Sequence, residues 1–215
     1  MGCIENADDL RKALDWLSAR DPRLGTVRTR VEGVAPVPMR RIDPGFAAMV
    51  EVVCTQQISR ASAAAILARL QEYVDPLTPE SVLAIDEPTM RAVGLSRSKL
   101  STLKSVSKAV LDGTLDLHAV CEMPAAEAIA AICAVRGLGP WTAGVYLLFS
   151  GGHPDIMPKG DIALQWSASW MLGRTERIGA DELDDLAKAW SPHRSTAARL
   201  LWANYALVKG RPILP

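Results

Sequence analysis

The 215-residue sequence lacks any apolar run as long as the ~20 residues of a membrane-spanning helix, because charged or polar residues interrupt every candidate. The segment from Met1 to Asp9 also lacks the basic and apolar regions of a secretory signal. These absences predict a cytoplasmic protein that has no membrane partner. Apolar residues at 49% and charged residues at 22% are values typical of a globular protein.

Cysteine is scarce, and no two of its four copies stand in a Cys-x-x-Cys spacing. The four are Cys3, Cys54, Cys121 and Cys133. We expect reduced thiols, with neither a zinc site nor an iron–sulfur cluster.

The net charge is zero, since 24 basic residues balance 24 acidic ones, and this weakly disfavours a nucleic-acid partner. The charges are nevertheless unevenly distributed, because Arg91–Leu111 and Leu186–Pro215 each contain five basic residues and no acid. A basic face would suit a phosphate backbone, although solvated helix faces explain the same pattern. Charge alone leaves both interpretations open.

Apolar residues recur with a period close to 3.6 along most of the chain, which predicts an all-α fold of about ten short helices. Loops are predicted at 20–42 and 150–160, where Gly, Pro and Arg concentrate. Helices are predicted at 7–19, 44–55, 59–73, 79–84, 88–93, 96–112, 125–135, 140–149, 161–172, 180–190 and 192–208.

Proline and glycine mark several of the predicted helix ends. A capping residue before proline predicts helix starts at Asp43-Pro44, Thr78-Pro79 and Ser191-Pro192. Glycine predicts helix stops at Gly94, Gly113 and Gly137.

Residues 135–143 read Val-Arg-Gly-Leu-Gly-Pro-Trp-Thr-Ala between two predicted helices. Gly137 and Gly139 allow a positive φ in a tight turn, and Leu138 is expected to fill the groove between the helices. With Gly139 as the cap and Pro140 in the first turn, the free N–H groups of this helix start would bind a phosphate. A plain corner between helices explains one of these glycines, but less easily the whole string.

This string, followed by Pro158-Lys159-Gly160-Asp161, resembles the helix-hairpin-helix and Gly/Pro-loop-Asp signature of the base-excision DNA glycosylases. Three further segments resemble the alkyl-base branch of that superfamily, in the same order: Cys54–Ser59, Gly94–Lys99 and Trp190–Ser195. The resemblance is greatest to 3-methyladenine DNA glycosylase II, in a compact form without the N-terminal β domain.

The resemblance implies two helical lobes with a DNA-binding cleft between them. One lobe would span 44–150 and end in the hairpin, and the other would combine 1–43 with 151–215 and carry the catalytic aspartate. The implied partner is double-stranded DNA that contains alkylated bases, and we expect a monomer.

The resemblance assigns the role of catalytic aspartate to Asp161. Cleavage of an N-glycosidic bond builds positive charge on the sugar, which a carboxylate can stabilise while it orients or deprotonates a water. Taken alone, the residues favour an ordinary N-cap for the helix at 161–172. One carboxylate can serve both purposes.

Trp141 stands at the hairpin position where strand-cutting relatives have a Schiff-base lysine. An indole cannot form an imine, so the resemblance implies a monofunctional enzyme with water as the nucleophile. No cofactor is then required for catalysis. The iron–sulfur branch of the superfamily is disfavoured, since no cysteine follows Cys133.

The resemblance places Trp141, Val145 and His193 in the pocket for the flipped base. Trp141 would attract a cationic alkylated purine, with a core tryptophan beneath the hairpin as the alternative. Val145 replaces a tyrosine of some relatives, and Tyr146 is one residue out of phase. His193 replaces a tryptophan, and it could stack, form a hydrogen bond or lie on the surface.

Several residues are DNA-contact candidates. Gln57 matches the wedge that fills the gap left by the flipped base, and Gln56 would contact the orphaned strand; a pair of exposed glutamines is the alternative. The candidates for phosphate contacts are Arg97, Lys99, Arg194, Gly137, Leu138 and Gly139. As in relatives, a monovalent or divalent cation would bind the main-chain carbonyls of Cys133, Val135 and Gly137.

Two functions remain open at this point. The first is hydrolysis of the N-glycosidic bond of alkylated purines such as 3-methyladenine and 7-methylguanine. The second is a non-catalytic helix-hairpin-helix DNA-binding module, which would not need Asp161. A glycosylase for mismatched or oxidised bases is disfavoured by the missing hairpin lysine and the missing cysteine cluster.

Overall fold

The computed structural model describes residues 3–213, without the side chain of Arg60. Within this range the chain forms thirteen α-helices, one π-helical segment and one 3₁₀ segment, and it contains no strand. The predicted all-α fold class is therefore confirmed.

In chain order, the elements are α1 (Ala7–Arg20), α2 (Pro22–Glu32), α3 (Phe46–Thr55), α4 (Arg60–Tyr73), α5 (Pro79–Leu83), α6 (Glu87–Val93), α7 (Arg97–Leu111), α8 (Ala119–Glu122), α9 (Ala125–Cys133), α10 (Pro140–Tyr146), the π segment (Leu147–Gly151), α11 (Ile162–Met171), α12 (Ala180–Ala187), the 3₁₀ segment (Lys188–Trp190) and α13 (Arg194–Val208). They divide into two compact units. The continuous unit is Ile42–Gly151, and the discontinuous unit comprises the described parts of Met1–Arg41 and Gly152–Pro215.

The first predicted loop is partly wrong, because Pro22–Glu32 form helix α2. The side chain of Asp21 caps this helix by accepting a hydrogen bond from a main-chain N–H of its first turn. Leu24, Val27 and Val31 are buried where α2 packs against α1 and α13. Burial of this apolar face outweighs the low helix propensity of the glycine and β-branched residues in the segment.

A second short helix, α8, was also absent from the predictions. Its start is organised by Asp116, whose Oδ1 accepts hydrogen bonds from the N–H groups of His118 and Ala119, both at 2.9 Å. Only four residues follow in helical geometry, too few to show a period in the sequence.

Of the three predicted helix starts, Thr78-Pro79 is confirmed, because Thr78 forms a reciprocal capping box with Ser81 at the start of α5. Helix α3 begins later than predicted, at Phe46. Gly45 precedes it with φ at +134°, and the N–H of Gly45 donates to the hydroxyl of Tyr146 at 2.9 Å.

Helix α13 also begins later than predicted, at Arg194. Ser191 does not cap it, because its hydroxyl donates to Oδ2 of Asp155 at 2.8 Å. The predicted stop at Gly94 is confirmed, since this residue ends α6 with φ at +83°. Gly137 instead lies in the turn beyond Cys133, the last residue of α9.

The end of the continuous unit is a helix that changes type. Helix α10 passes directly into the π segment, whose five residues are all buried. The predicted helix at 140–149 therefore continues to Gly151 with altered geometry. None of the helices among the described residues has the length and hydropathy that a membrane crossing requires.

Candidate active site

The turn between α9 and α10 depends on Gly137. Its φ is +92°, and a Cβ atom built at this position would lie 2.3 Å from Oγ1 of Thr102 on α7. A side chain is therefore excluded both by the backbone conformation and by the packing of α7. Leu138 is buried, and its N–H donates to the carbonyl of Val135 at 3.1 Å.

Gly139 differs from Gly137 both in its backbone conformation and in the space around it. Its φ is −109° and its ψ is 175°, so the positive φ considered for it is wrong. A Cβ atom built here would meet nothing within 4 Å. Gly139 precedes Pro140 at the start of α10, and no side chain of the described residues caps this start. The missing side chain therefore leaves the start of α10 open to a close approach by another molecule.

On α10, the indole of Trp141 is half-buried and Val145 is buried. Tyr146 is completely buried, and its hydroxyl accepts from the N–H of Gly45 and donates to the carbonyl of Leu117 at 2.7 Å. Burial raises the pKa of this phenol. Tyr146 is therefore a core residue whose polar group is satisfied by the main chain.

The two glutamines behave differently. The Nε2 group of Gln56 donates to Oγ1 of Thr142 at 2.8 Å, which ties the end of α3 to α10. Gln57 is exposed and has φ at +57°, a left-handed conformation that is uncommon for glutamine. The alternative of a pair of exposed glutamines is wrong, because Gln56 is only partly exposed and has a defined partner.

Asp161 lies between the Gly/Pro loop and α11. Its Oδ1 atom accepts hydrogen bonds from the N–H groups of Ala163 at 2.8 Å and Leu164 at 3.1 Å, so the predicted N-cap is confirmed. Its own N–H donates to the carbonyl of Pro158 at 2.8 Å. The amide of Gln165 donates to the carbonyl of Lys159 at 2.8 Å, which holds the preceding loop to α11. The carboxyl group thus has a defined orientation on a rigid element.

A family model of the HhH-GPD superfamily of base excision DNA repair proteins matches residues 50–193, a range that includes the hairpin, the loop and Asp161. The chain belongs to this superfamily.

Individual relatives agree with the family assignment. A Schizosaccharomyces pombe protein named DNA-3-methyladenine glycosylase 1 is 27% identical over 183 residues, which are 82% of this chain and 79% of that protein. The Bacillus subtilis protein YfjP is 28% identical over 124 residues, or 58% of this chain and 43% of that protein. The solved structure of S. pombe 3-methyladenine DNA glycosylase in complex with abasic DNA has a TM-score of 0.81 and 25% identity, and covers 89% of this chain and 95% of that one.

Two basic candidates of this HhH-GPD chain lie at the start of α7. Arg97 is exposed, and it forms an ion pair with Glu87 at 2.9 Å. The ammonium group of Lys99 donates to the carbonyl of Cys54 at 2.6 Å, near the end of α3. Partial burial lowers the pKa of Lys99. Lys99 therefore has a structural contact that its spacing in the sequence did not reveal.

The third basic candidate, Arg194, lies in the discontinuous unit of the HhH-GPD chain. Its Nε and Nη2 atoms donate to the two carboxylate oxygens of Asp155 at 2.8 and 2.9 Å. Burial opposes the charge of Asp155, but the bonds from Arg194 and Ser191 outweigh it and lower the pKa of this carboxyl. The guanidinium thus has an internal partner, which the prediction of a phosphate contact did not include.

His193 is buried at 9% exposure, so the surface alternative is wrong. Its ring packs edge-on against Trp16 of α1, with the ring centroids 5.1 Å apart. Burial lowers the pKa of His193, so the imidazole is neutral at pH 7. The Nδ1 atom is buried and accepts or donates no hydrogen bond within the described residues. The sequence pattern predicts the helix that contains Trp16, but it does not indicate that Trp16 contacts His193.

The carbonyl groups considered for a cation belong to the end of α9 and the turn after it. Cys133 ends the helix, and the carbonyl of Val135 already accepts one hydrogen bond within the turn. Main-chain carbonyls are ligands that hard cations accept. Among residues 3–213, no group of three or more His, Cys, Asp or Glu side chains could hold a metal.

Proposed function

We propose that this HhH-GPD protein is a monofunctional DNA glycosylase of the 3-methyladenine type, which hydrolyses the N-glycosidic bond of alkylated purines in base excision repair. The observation that carries the proposal is Asp161, a carboxylate oriented at the start of α11 by two main-chain hydrogen bonds. A module that only binds DNA would need this residue as the cap of α11 alone, whereas hydrolysis of a glycosidic bond also needs its negative charge. The named relatives support the same substrate class.

DNA binding is proposed to begin at the hairpin. The open start of α10 at Gly139 presents main-chain N–H groups, and such a helix start stabilises a phosphate without a charged side chain. A cation held by the carbonyls of Cys133, Val135 and Gly137 would add positive charge at the same turn when bound. Exposed Gln57 is the proposed wedge that replaces the flipped base in the duplex.

The chemical step is proposed to depend on the negative charge of Asp161. As the bond to the base breaks, positive charge develops on the sugar, and the carboxylate stabilises it electrostatically. Because Oδ1 caps α11, the orientation of the carboxyl group is determined before DNA binds. The carboxylate also orients or deprotonates the attacking water, which yields an intact strand with an abasic site.

Trp141 is proposed to stack on the flipped base and to favour cationic purines through its π face. Neutral His193 suits such a substrate, because a protonated imidazole would repel a cationic base. At the hairpin, an indole replaces the amine that a lyase reaction would require.

Incubation with methylated duplex DNA tests this function directly. We expect chromatography of the supernatant to show released 3-methyladenine, and borohydride treatment to trap no protein–DNA adduct. Duplex binding without any released base would favour the non-catalytic module instead. A covalent adduct on a denaturing gel would contradict the monofunctional mechanism.

A further inference from the structure

The carboxylate of Asp155 is surrounded by four hydrogen-bond donors from the segment that leads into α13. Besides Nε and Nη2 of Arg194, the main-chain N–H of Arg194 donates to Oδ1 at 3.2 Å, and the hydroxyl of Ser191 donates to Oδ2 at 2.8 Å. A forked contact of this kind determines both the distance and the plane of the two groups. The side chains of Asp155 and Arg194 retain 26% and 30% of their exposure, so the pair lies near the surface of its unit.

Ser195 fixes the same segment through its main-chain N–H and its hydroxyl group. Its N–H donates to the carbonyl of Pro154 at 3.0 Å, and its hydroxyl accepts from the N–H of Ile156 at 2.9 Å. The segment 154–156 is therefore held against the first turn of α13 on both sides of Asp155.

The chain has little freedom between this attachment and Asp161. The N–H of Lys159 donates to the carbonyl of Met157 at 2.7 Å, and the N–H of Asp161 donates to the carbonyl of Pro158 at 2.8 Å, so the connection consists of consecutive tight turns. Proline fixes φ within one of these turns. We therefore expect a shift at Asp155 to reach Asp161 through this short connection.

We propose that Asp155 and Arg194 are positioning residues, which hold the loop so that the carboxylate of Asp161 meets the reacting sugar in the correct place. The inference rests on the proposed function, because it assumes that Asp161 is catalytic. It assigns Arg194 a role different from a phosphate contact. The pair is only partly exposed, so breaking it also lowers stability, and the rate of the folded variants therefore reports the geometry of the loop.

The chain offers a matched control in Asp21 and Arg23. There, too, Nε and Nη2 of the arginine donate to the two carboxylate oxygens, both at 2.8 Å, and the N–H of the same arginine donates at 3.1 Å. The fourth donor is Nε1 of Trp190 at 3.0 Å. This fork lies in the same unit but caps α2, away from the loop of Asp161 in the chain.

The experiment compares Arg194→Lys with Arg23→Lys and adds Asp155→Asn and the double variant. Lysine keeps the charge that a phosphate contact needs but cannot form the fork. We expect Arg194→Lys and Asp155→Asn each to lower the single-turnover rate of base release about 10- to 100-fold, the loss typical of a reacting group misplaced by ~1 Å. The double variant should be no slower than the slower single variant. Arg23→Lys should keep the rate and lose only thermal stability.

Two further measurements separate this proposal from its alternatives. Affinity for duplex DNA with an abasic-site analogue should change less than about threefold in Asp155→Asn, because the catalytic step rather than binding is affected. In NMR spectra, the amides of Ala163 and Leu164, which Asp161 caps, should exchange faster in Asp155→Asn and Arg194→Lys than in Arg23→Lys. This amide readout needs no activity, so it tests the positioning even if the chain releases no base.

Normal rates and unchanged amide exchange in Asp155→Asn would overturn the proposal. A normal rate and an unchanged DNA affinity in Arg194→Lys, in which lysine supplies the same charge to a phosphate, would return Arg194 to the phosphate contacts. If Asp161→Asn released base normally, the proposed function would fail, whereas faster exchange at Ala163 and Leu164 would still support the positioning by Asp155.

Discussion

The hairpin of the continuous unit and the aspartate loop of the discontinuous unit are built by opposite means. The hairpin depends on missing side chains, since Gly137 makes room for Thr102 and Gly139 leaves a helix start open. The aspartate loop depends on charges, with Asp155 bound to Arg194 and Lys159 bound to Asp184 at 3.1 Å. The difference indicates that the hairpin exposes main-chain groups to another molecule, whereas the aspartate loop holds a carboxylate in place. Added Cβ atoms should damage the first, and neutralised charges the second.

The strongest test of this comparison is Asp161→Asn. Asparagine keeps the N-cap of α11 but removes the charge that stabilises the sugar cation, so the barrier should rise by on the order of 4 kcal/mol or more. We expect base release in single-turnover assays to fall by several powers of ten while duplex affinity persists. Near-normal release by the folded variant would refute the catalytic assignment.

The next largest effect is expected from Gly137→Ala in the hairpin. The positive φ and the overlap with Thr102 should together cost about 2–4 kcal/mol in the free energy of unfolding, measured by urea denaturation. Gly139→Ala is the matched control, because its Cβ meets nothing within the chain and its φ suits alanine. It should leave stability unchanged or slightly improved while it weakens duplex binding. Equal stability losses in the two variants would contradict the distinction between the glycines.

Trp141→Ala should change selectivity more than stability. Loss of stacking and of the cation–π attraction is worth roughly 1–3 kcal/mol for a cationic purine, and a neutral base loses only the stacking part. The ratio of 3-methyladenine to hypoxanthine excision should therefore fall, and Trp141→Phe should restore part of it. An unchanged ratio with a large drop in melting temperature would make Trp141 a packing residue instead.

The smallest effect concerns the response of the two Asp–Arg forks to acid. Burial alone would raise the pKa values of Asp21 and Asp155, but their arginine partners outweigh it, so both values lie below those of the unfolded chain. Such groups stabilise the fold above the unfolded pKa near 4, and the stabilisation is lost as the pH falls through the lower folded pKa. In Asp21→Asn, the free energy of unfolding should therefore fall less steeply as the pH is lowered than it does in the wild type. The change should be smaller in Asp155→Asn, because the side chain of Asp155 is more exposed than that of Asp21. Identical acid limbs in wild type and Asp21→Asn would contradict these shifts.

Local sequence patterns were sufficient to predict many features of this molecule. The all-α class, the capping box at Thr78, the glycine stop at Gly94 and the cap at Asp161 all follow from residues within one or two helical turns. The hairpin was likewise evident from a nine-residue string, although only one of its glycines has a positive φ. These features depend on backbone preferences and short-range hydrogen bonds, which a single sequence carries directly.

Contacts between distant segments were decided only in the tertiary structure. Helix α2 forms although its segment looked like a loop, because its apolar face is buried against α1 and α13. The fork of Asp155 and Arg194 joins residues 39 positions apart, and His193 lies buried against Trp16 from the other end of the chain. The sequence by itself determined which residue types were available and which local turns they favour. Which side chains became partners depended on packing, because burial and ion pairing arise only when remote segments exclude water together.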